Sequence, residues 1–256
     1  MLDNYESFKK DVYALTKIDL NCYKEKQMRR RINTLITKNK LKTYEEYVNL
    51  IKTNNEKFEE FINFLTINVS EFYRNTDQWQ LLDKEIFPKL VDGKRQIKIW
   101  SAACSTGDEP YSLAMALSKH TSLSNLKIIA TDIDKQVLAQ AKVGLYNTKS
   151  VAGVPDEMKK KYLVKVGSSY KVVDEIKKCV EFKEHNLLKD PYPSDCDMIV
   201  CRNVVIYFTD EAKDEIYKKF YKSLKKGGYL FIGSTEQIMN YKEMGYLRHS
   251  SFFFEK

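Results

Sequence analysis

Residues 97–118 read IKIWSAACSTGDEPYSLAMALS. An apolar run ends at Trp100, a loop of small residues follows, and apolar spacing resumes after two acids and a proline, which is the order strand, loop, helix. The side chains of Ser101, Ala102, Ala103, Ser105, Thr106 and Gly107 are small enough for a ligand to approach the backbone closely. Pro110 suits the first turn of the helix that follows. The loop is not G-x-G-x-x-G, so the dinucleotide fingerprint is absent.

Downstream, short apolar runs alternate with helical patterns: NLKIIATD, a helix around Gln136 to Lys142, DMIVC, a helix around Thr209 to Leu224, GGYLFIG, and a last run SFFFEK. Strands alternating with helices imply parallel pairing through helical crossovers, hence an open α/β sheet whose last strand can be antiparallel. YLVKV, GSS and YKVV (Tyr162 to Val173) predict a hairpin, and CVEFKEHNL (Cys179 to Leu187) further extended chain. A small antiparallel β-subdomain inserted at about 155–182 is therefore expected. In KKGGYLFIGSTE the Gly pair reads as a helix stop and tight turn.

Upstream, four stripes at helical spacing predict four amphipathic helices: Tyr5, Phe8, Val12 and Leu15; Met28, Ile32, Leu35 and Ile36; Tyr44, Tyr47, Val48 and Ile51; Phe58, Phe61, Ile62 and Leu65. Thr43 with Glu46 fits a capping box, and Asp3 with Glu6 is a weaker acidic start signal. The pattern changes between Phe72 and Gln96, which divides the chain into a helical domain (1–75) and an α/β domain (76–256).

Composition narrows the class. The 256 residues are 43% hydrophobic and 12% aromatic, which argues against disorder, while 30% charged residues and a mean hydropathy of −0.49 argue against a membrane protein. The start, MLDNYESFKKDVYAL, lacks the basic-then-apolar order of a secretory signal, so a cytoplasmic location is expected. Five cysteines without a C-x-x-C pair suit a reducing compartment and read as free thiols, and three dispersed histidines give no metal-ligand spacing. The net charge of +8 is concentrated: Cys22 to Lys42 holds eight Lys or Arg against Glu25 alone. Lys26, Arg29 and Arg30 lie off the apolar stripe of their helix, as a solvated face or as the docking face for an acidic partner. The segment lacks the interleaved aromatics of a single-stranded nucleic-acid site.

In an open parallel sheet, ligands bind beyond the carboxyl ends of the strands. Asp132, 25 residues past Gly107, ends the strand KIIATDID and can accept hydrogen bonds from both ribose hydroxyls, or it can act with Asp134 as a helix cap. Asn186 and Leu187 in EHNLL would end a third strand beside the first two, where they could meet an adenine edge and face or merely terminate it. Arg202, Asn203 and Tyr207 follow the apolar run in MIVCRNVVIYF. No acid–base or nucleophilic pair stands out, so the chemistry should depend mainly on positioning.

WSAACSTGDEPYSLAM, TDID, HNLL and CRNVVIYF, with NVSEFYRN at Asn68 to Asn75, resemble the CheR-type chemoreceptor glutamate methyltransferases over essentially the whole chain. The resemblance implies a Rossmann-like, class I S-adenosylmethionine-dependent methyltransferase sheet with a small N-terminal all-helical, receptor-recognition domain and the inserted β-subdomain. It implies methyl transfer to glutamate carboxylates on cytoplasmic chemoreceptor helices, giving methyl esters, by a cytoplasmic enzyme recruited to membrane receptor arrays without inserting into the bilayer. By the same resemblance, the cofactor contacts fall on Asn68, Ser70, Arg74, Glu109, Asp132, Asn186, Leu187, Arg202 and Asn203, with no metal. Arg74 would pair with the methionine carboxylate and Tyr207 would lie near the methyl group, making these two the catalytic candidates; Lys26, Arg29 and Arg30 would face the receptor. Ser70 stands where many relatives have Thr, and Asp108 precedes Glu109 where Glu-Glu is frequent, so hydroxyl and acid are kept. In some relatives the β-subdomain tethers a receptor-tail peptide; the GSS turn here lacks a closely spaced Gly pair, and weak or absent tethering is expected.

Two other readings compete. A nucleic-acid methyltransferase of the same fold would suit the pI near 9.0, but base-amine chemistry favours Asn or Asp-Pro-Pro-aromatic where this chain has CRNVVIYF. A non-catalytic scaffold would show eroded cofactor positions, yet Arg74, Glu109, Asp132, Asn186 and Asn203 are all present.

Overall fold

The computed structural model describes residues 4–256. Two compact units emerge: one runs up to Asn68 and also takes Ile206–Glu215, and the other comprises Val69–Val205 and Ile216–Lys256.

The first unit contains the four expected helices, α1 (Tyr5–Thr16), α2 (Glu25–Lys38), α3 (Tyr44–Thr53) and α4 (Asn55–Thr66). Their buried faces carry the apolar stripes, narrowed in α1 and α4, where Leu15, Phe58 and Ile62 are only half-buried. The capping box forms: Glu46 N donates to Thr43 Oγ1 and Thr43 N to Glu46 Oε2, both at 3.1 Å. Helix α1 is capped by Asn4, whose Oδ1 accepts from Ser7 N at 3.3 Å, whereas the Asp3 signal lies outside the described residues. The segment from Ile206 is strapped to the start of α2. Lys24 N donates to Tyr207 O at 2.9 Å, Thr209 N donates to Cys22 O at 2.8 Å, and the Tyr23 and Phe208 rings meet at 4.8 Å.

The second unit opens with α5 (Thr76–Leu81), a π-helical turn (Leu82–Ile86) and α6 (Phe87–Val91), in the stretch where the sequence shows only a change of pattern. The alternation then follows as β1 (Ile97–Ala102), α7 (Asp108–Leu117), β2 (Leu126–Asp132), α8 (Lys135–Val143), β3 (Leu145–Asn147), α9 (Asp156–Tyr162), β4 (Leu163–Val166), β5 (Ser169–Val172), α10 (Asp174–Lys177), β6 (Val180–Glu184), β7 (Cys196–Cys201), α11 (Asp210–Ser223, begun in the first unit), β8 (Leu224–Ile232), β9 (Leu247–Arg248) and β10 (Phe253–Glu255). The main sheet has the order β6-β2-β1-β7-β8-β10-β9, parallel from β6 to β8, with β10 antiparallel to β8. Because β2 and β7 flank β1 on opposite sides, the strand order reverses at β1, and the crevice beyond β1 and β7 is the topological switch point. Every residue of β7 is buried, and Trp100 of β1 is fully enclosed with its indole N–H on Thr131 Oγ1 at 2.9 Å.

Val180–Glu184 pairs in parallel with β2, from Ile128↔Val180 to Asp132↔Glu184, so it is the third strand expected beside the first two and forms an edge of the main sheet. The small sheet takes its third strand from β3, a strand the sequence patterns do not indicate, in the order β3-β5-β4. The Gly pair folds differently from expectation. Helix α11 ends at Ser223 without the Gly pair; Gly227 and Gly228 lie inside β8, opposite the point where the β7/β8 register shifts between Cys196 and Met198. There they serve an irregularity in a ladder, the other common use of strand glycine.

Candidate active site

The loop after β1 is held in an unusual backbone shape. Ala103, Ser105 and Gly107 all have positive φ, at 63°, 49° and 88°. Among the described residues ten non-glycines have positive φ, and five of them (Tyr73, Asn75, Ala103, Ser105 and Asn203) lie in the segments that meet around these strand tips. Such strain persists only where the surroundings enforce it, and it gathers at functional sites. Gly107 is enforced twice over, since a Cβ there would lie 2.8 Å from Ala141 Cβ and 3.2 Å from Phe182 Cζ.

The acid after β2 organises this loop. Asp132 Oδ2 accepts from Ser105 N at 2.8 Å and its Oδ1 from Asp134 N at 3.0 Å, while Asp134, with Oδ1 2.8 Å from Gln136 N, is the cap of α8. Of the two acids, Asp134 thus takes the cap of α8, while Asp132 braces the loop after β1. Burial pushes the Asp132 carboxyl up to about 6, against the opposing pull of the backbone donors from Asp134 and Ser105.

Beneath the loop, Glu109 and Arg202 form a buried charge pair. Glu109 Oε1 accepts from Ser101 Oγ at 2.8 Å, and its Oε2 lies 3.6 Å from Arg202 Nη1. Burial raises the Glu109 carboxyl above its ordinary value, and Arg202 opposes that shift. Arg202 Nη2 donates to Arg74 O, Asn75 Oδ1 and Gln78 Oε1 at 2.8–2.9 Å, and the guanidinium rests 4.6 Å over the Phe231 ring. A planar fork with several donors can tie two segments together in this way, as a lysine cannot.

Glu236 is a site residue that the sequence reading passed over inside GSTE. It is buried, and its carboxylate accepts from Gly233 N (2.6 Å), Val204 N (2.9 Å), Val205 N (3.0 Å) and the amide of Asn203. Its only sequence signal is an acid shortly after the last parallel strand, at the tip next to β7.

The remaining candidates are placed as follows. Ser70 hydrogen-bonds the Asp108 carboxylate, and Arg74 Nη1 donates to Val69 O at 3.2 Å. Asn186 Oδ1 accepts from Leu188 N at 2.9 Å and so shapes the turn after β6, next to buried Leu187. In the other unit, Asn68 Nδ2 donates to Thr66 Oγ1 at 2.9 Å at the end of α4, and Tyr207 sits on the strap to α2. On α2, Lys26 and Arg30 are exposed, but Arg29 folds back with Nε 3.3 Å from Tyr44 Oη and its guanidinium 5.2 Å from the Tyr5 ring. These residues line an open hollow of about 1060 Å³ with Glu25, Asn33 and Thr34. Among the described residues no cluster could hold a metal ion, and all five cysteines are free.

A parallel sheet with acids after β1 and β2, a strained small-residue loop and a clasped polar loop at the switch point defines a nucleoside-binding α/β enzyme of the class I methyltransferase kind. Residues 68–253 match the family described as CheR methyltransferase, SAM binding domain, and residues 3–66 match its all-alpha domain. A chemotaxis protein methyltransferase of Listeria innocua is 39% identical over 93% of this chain and 92% of its own length. Those of Borreliella burgdorferi and Pseudomonas aeruginosa are 33% and 35% identical over 95% and 93% of this chain, each covered to 91%. The chain belongs to the CheR methyltransferase family, and is an S-adenosylmethionine-dependent methyltransferase of chemotaxis.

Proposed function

We propose that the enzyme methylates glutamate side chains on the helices of chemoreceptors, forming methyl esters, with Asp132, Glu109 and Asn203 as the central cofactor contacts. The observation that carries this reading is a set of buried polar atoms around the switch point that no protein group satisfies: Ser105 Oγ, Asp108 Oδ1 and Asn203 Oδ1. Buried polar atoms are rarely left without partners, so a polar ligand is their natural complement, and S-adenosylmethionine fits the donor set. Asp132 would take the ribose hydroxyls, Asn186 and Leu187 the adenine, and Glu109 the ammonium group; Asn68 and Ser70 are further cofactor candidates by the resemblance. Arg202 is already committed to Arg74, Asn75, Gln78 and Glu109, so it acts as a positioning residue that fixes the Arg74 segment.

The cofactor supplies an electrophilic methyl group on a sulfonium. A glutamate with a pKa of about 4.3 is ionised at neutral pH and needs no general base. Alignment and exclusion of water then supply most of the acceleration. Arg74 and Tyr207 would orient donor and acceptor, and the reaction would require no metal. The exposed cations Lys26 and Arg30, with Arg29 pinned beside them, suit an acidic receptor helix, and the relatives' names, chemotaxis protein methyltransferases, support receptor substrates.

The test is transfer of radiolabelled methyl from S-adenosylmethionine to receptor-containing membranes, followed by mild alkali. Release of the label as methanol is expected. Label that survives alkali would refute ester formation and favour amine methylation. Tyr207→Phe should lower turnover more than it lowers either affinity.

A further inference from the structure

Glu236 lies outside every motif that carries the family resemblance, yet it is the most heavily hydrogen-bonded carboxylate at the strand tips. Three successive backbone N–H groups, those of Asn203, Val204 and Val205, converge on it together with Gly233 N. Successive N–H groups pointing into one concavity form an anion nest, which in many proteins holds a phosphate. Here the chain supplies its own anion.

The nest forces a particular loop. Asn203 takes φ of 60°, a left-handed backbone that asparagine tolerates better than most residues. Space is tight on the other wall: a Cβ at Gly233 would lie 2.7 Å from Asn203 N and 2.8 Å from Glu236 Oε2. With its backbone fixed from both sides, Asn203 holds Oδ1 buried and without a protein partner. The charge of Glu236 is also felt by Glu109 and Arg202, so the clasp belongs to the same buried array.

We infer that Glu236 is a positioning residue for cofactor binding: its carboxylate fills the nest at the carboxyl end of β7 and thereby aims Asn203 Oδ1 at a donor group of the cofactor. This rests on the reading of Asn203 as a cofactor contact. Losing one charge-assisted hydrogen-bonding group typically costs enough to weaken binding roughly tenfold to a hundredfold.

The experiment measures S-adenosylhomocysteine affinity by calorimetry for the full chain and for Glu236→Gln, Glu236→Ala, Asn203→Ala and the double variant Glu236→Gln with Asn203→Ala. Glu236→Gln and Asn203→Ala should each weaken binding about tenfold or more, and the double variant should bind no worse than Asn203→Ala, because one acts through the other. Added formate, which can refill the vacated nest, should restore binding to Glu236→Ala but not to Asn203→Ala; a merely structural role predicts no rescue. Wild-type affinity in Glu236→Gln beside a weakened Asn203→Ala would overturn the inference alone, as would strict additivity in the double variant. Unchanged affinity in Asn203→Ala would instead overturn the reading of Asn203. Should Glu236→Ala fail to fold, the double-variant comparison still decides.

Discussion

Replacing Gly107 by alanine tests whether the cofactor loop is held by packing as well as by backbone conformation. At φ of 88° any Cβ meets its own backbone, a cost of roughly 1–2 kcal/mol. The new methyl would also press on Ala141 Cβ at 2.8 Å, Tyr146 Oη at 3.1 Å and Phe182 Cζ at 3.2 Å. Ala141 is buried on α8 and Tyr146 is tied to Thr106 O at 2.6 Å, so neither can retreat cheaply. Overpacking of this kind adds about 1–3 kcal/mol, which brings the total to roughly 2–5 kcal/mol. Gly167, in the turn between β4 and β5, supplies the control: its φ is 60° and nothing lies within 4 Å of a Cβ there, so Gly167→Ala should cost only the conformational part. Urea denaturation of both variants gives the difference directly, and calorimetry with S-adenosylhomocysteine should show weaker binding for Gly107→Ala alone. Equal losses of stability in the two variants would refute the packing argument.

Three further outcomes are expected. Asp197 is fully buried; although burial pushes its carboxyl up, Lys94 at 2.8 Å, Lys98 N and Lys225 bring it below the usual range. Its stabilisation is therefore present above an unfolded pKa of about 4 and fades as the pH falls from there toward the folded value, so Asp197→Asn should cost about 1–3 kcal/mol at pH 7 and flatten the acid limb of the stability curve. Asp132, pushed up to about 6, must be ionised to accept two ribose hydroxyls, so S-adenosylhomocysteine affinity should fall as the pH drops through about 6, by about tenfold per unit well below it, and Asp132→Asn should bind weakly at every pH. Arg30→Glu, on the exposed face of α2, should raise the receptor KM roughly fivefold at low salt, lose that penalty at high salt, and leave cofactor affinity intact; a salt-independent rate equal to wild type would sink the docking reading.

Much of this structure is written in local patterns. The stripes of α1 to α4, the Thr43–Glu46 box and the alternation from Ile97 onward are short-range signals, and each corresponds to an element of the fold. What escaped depends on partners distant in sequence. Nothing inside Leu145–Asn147 says that it pairs with β5, because strand pairing is chosen by the rest of the chain. The Gly pair at 227–228 gives the same local signal for a helix stop as for a ladder irregularity. The carboxylates at the strand tips were legible where a motif surrounds them, as with Glu109 and Asp132. Glu236 was not, because its meaning lies in amides 31 to 33 residues away, counting back from 236 to 205, 204 and 203.

The strap between Cys22–Lys24 and Tyr207–Thr209 bears on how such chains can be recombined. Tyr207, a candidate for orienting the methyl acceptor, shares a backbone hydrogen bond with Lys24, one residue before the helix that carries Lys26 and Arg30. A chimaera that exchanges only the first 68 residues between two relatives would pair one parent's Tyr23 with the other's Phe208 and leave that register to chance. Exchange of substrate preference should therefore require two cassettes moved together, the amino-terminal helices and residues 206–215, although 137 residues separate them in the chain, from Val69 to Val205.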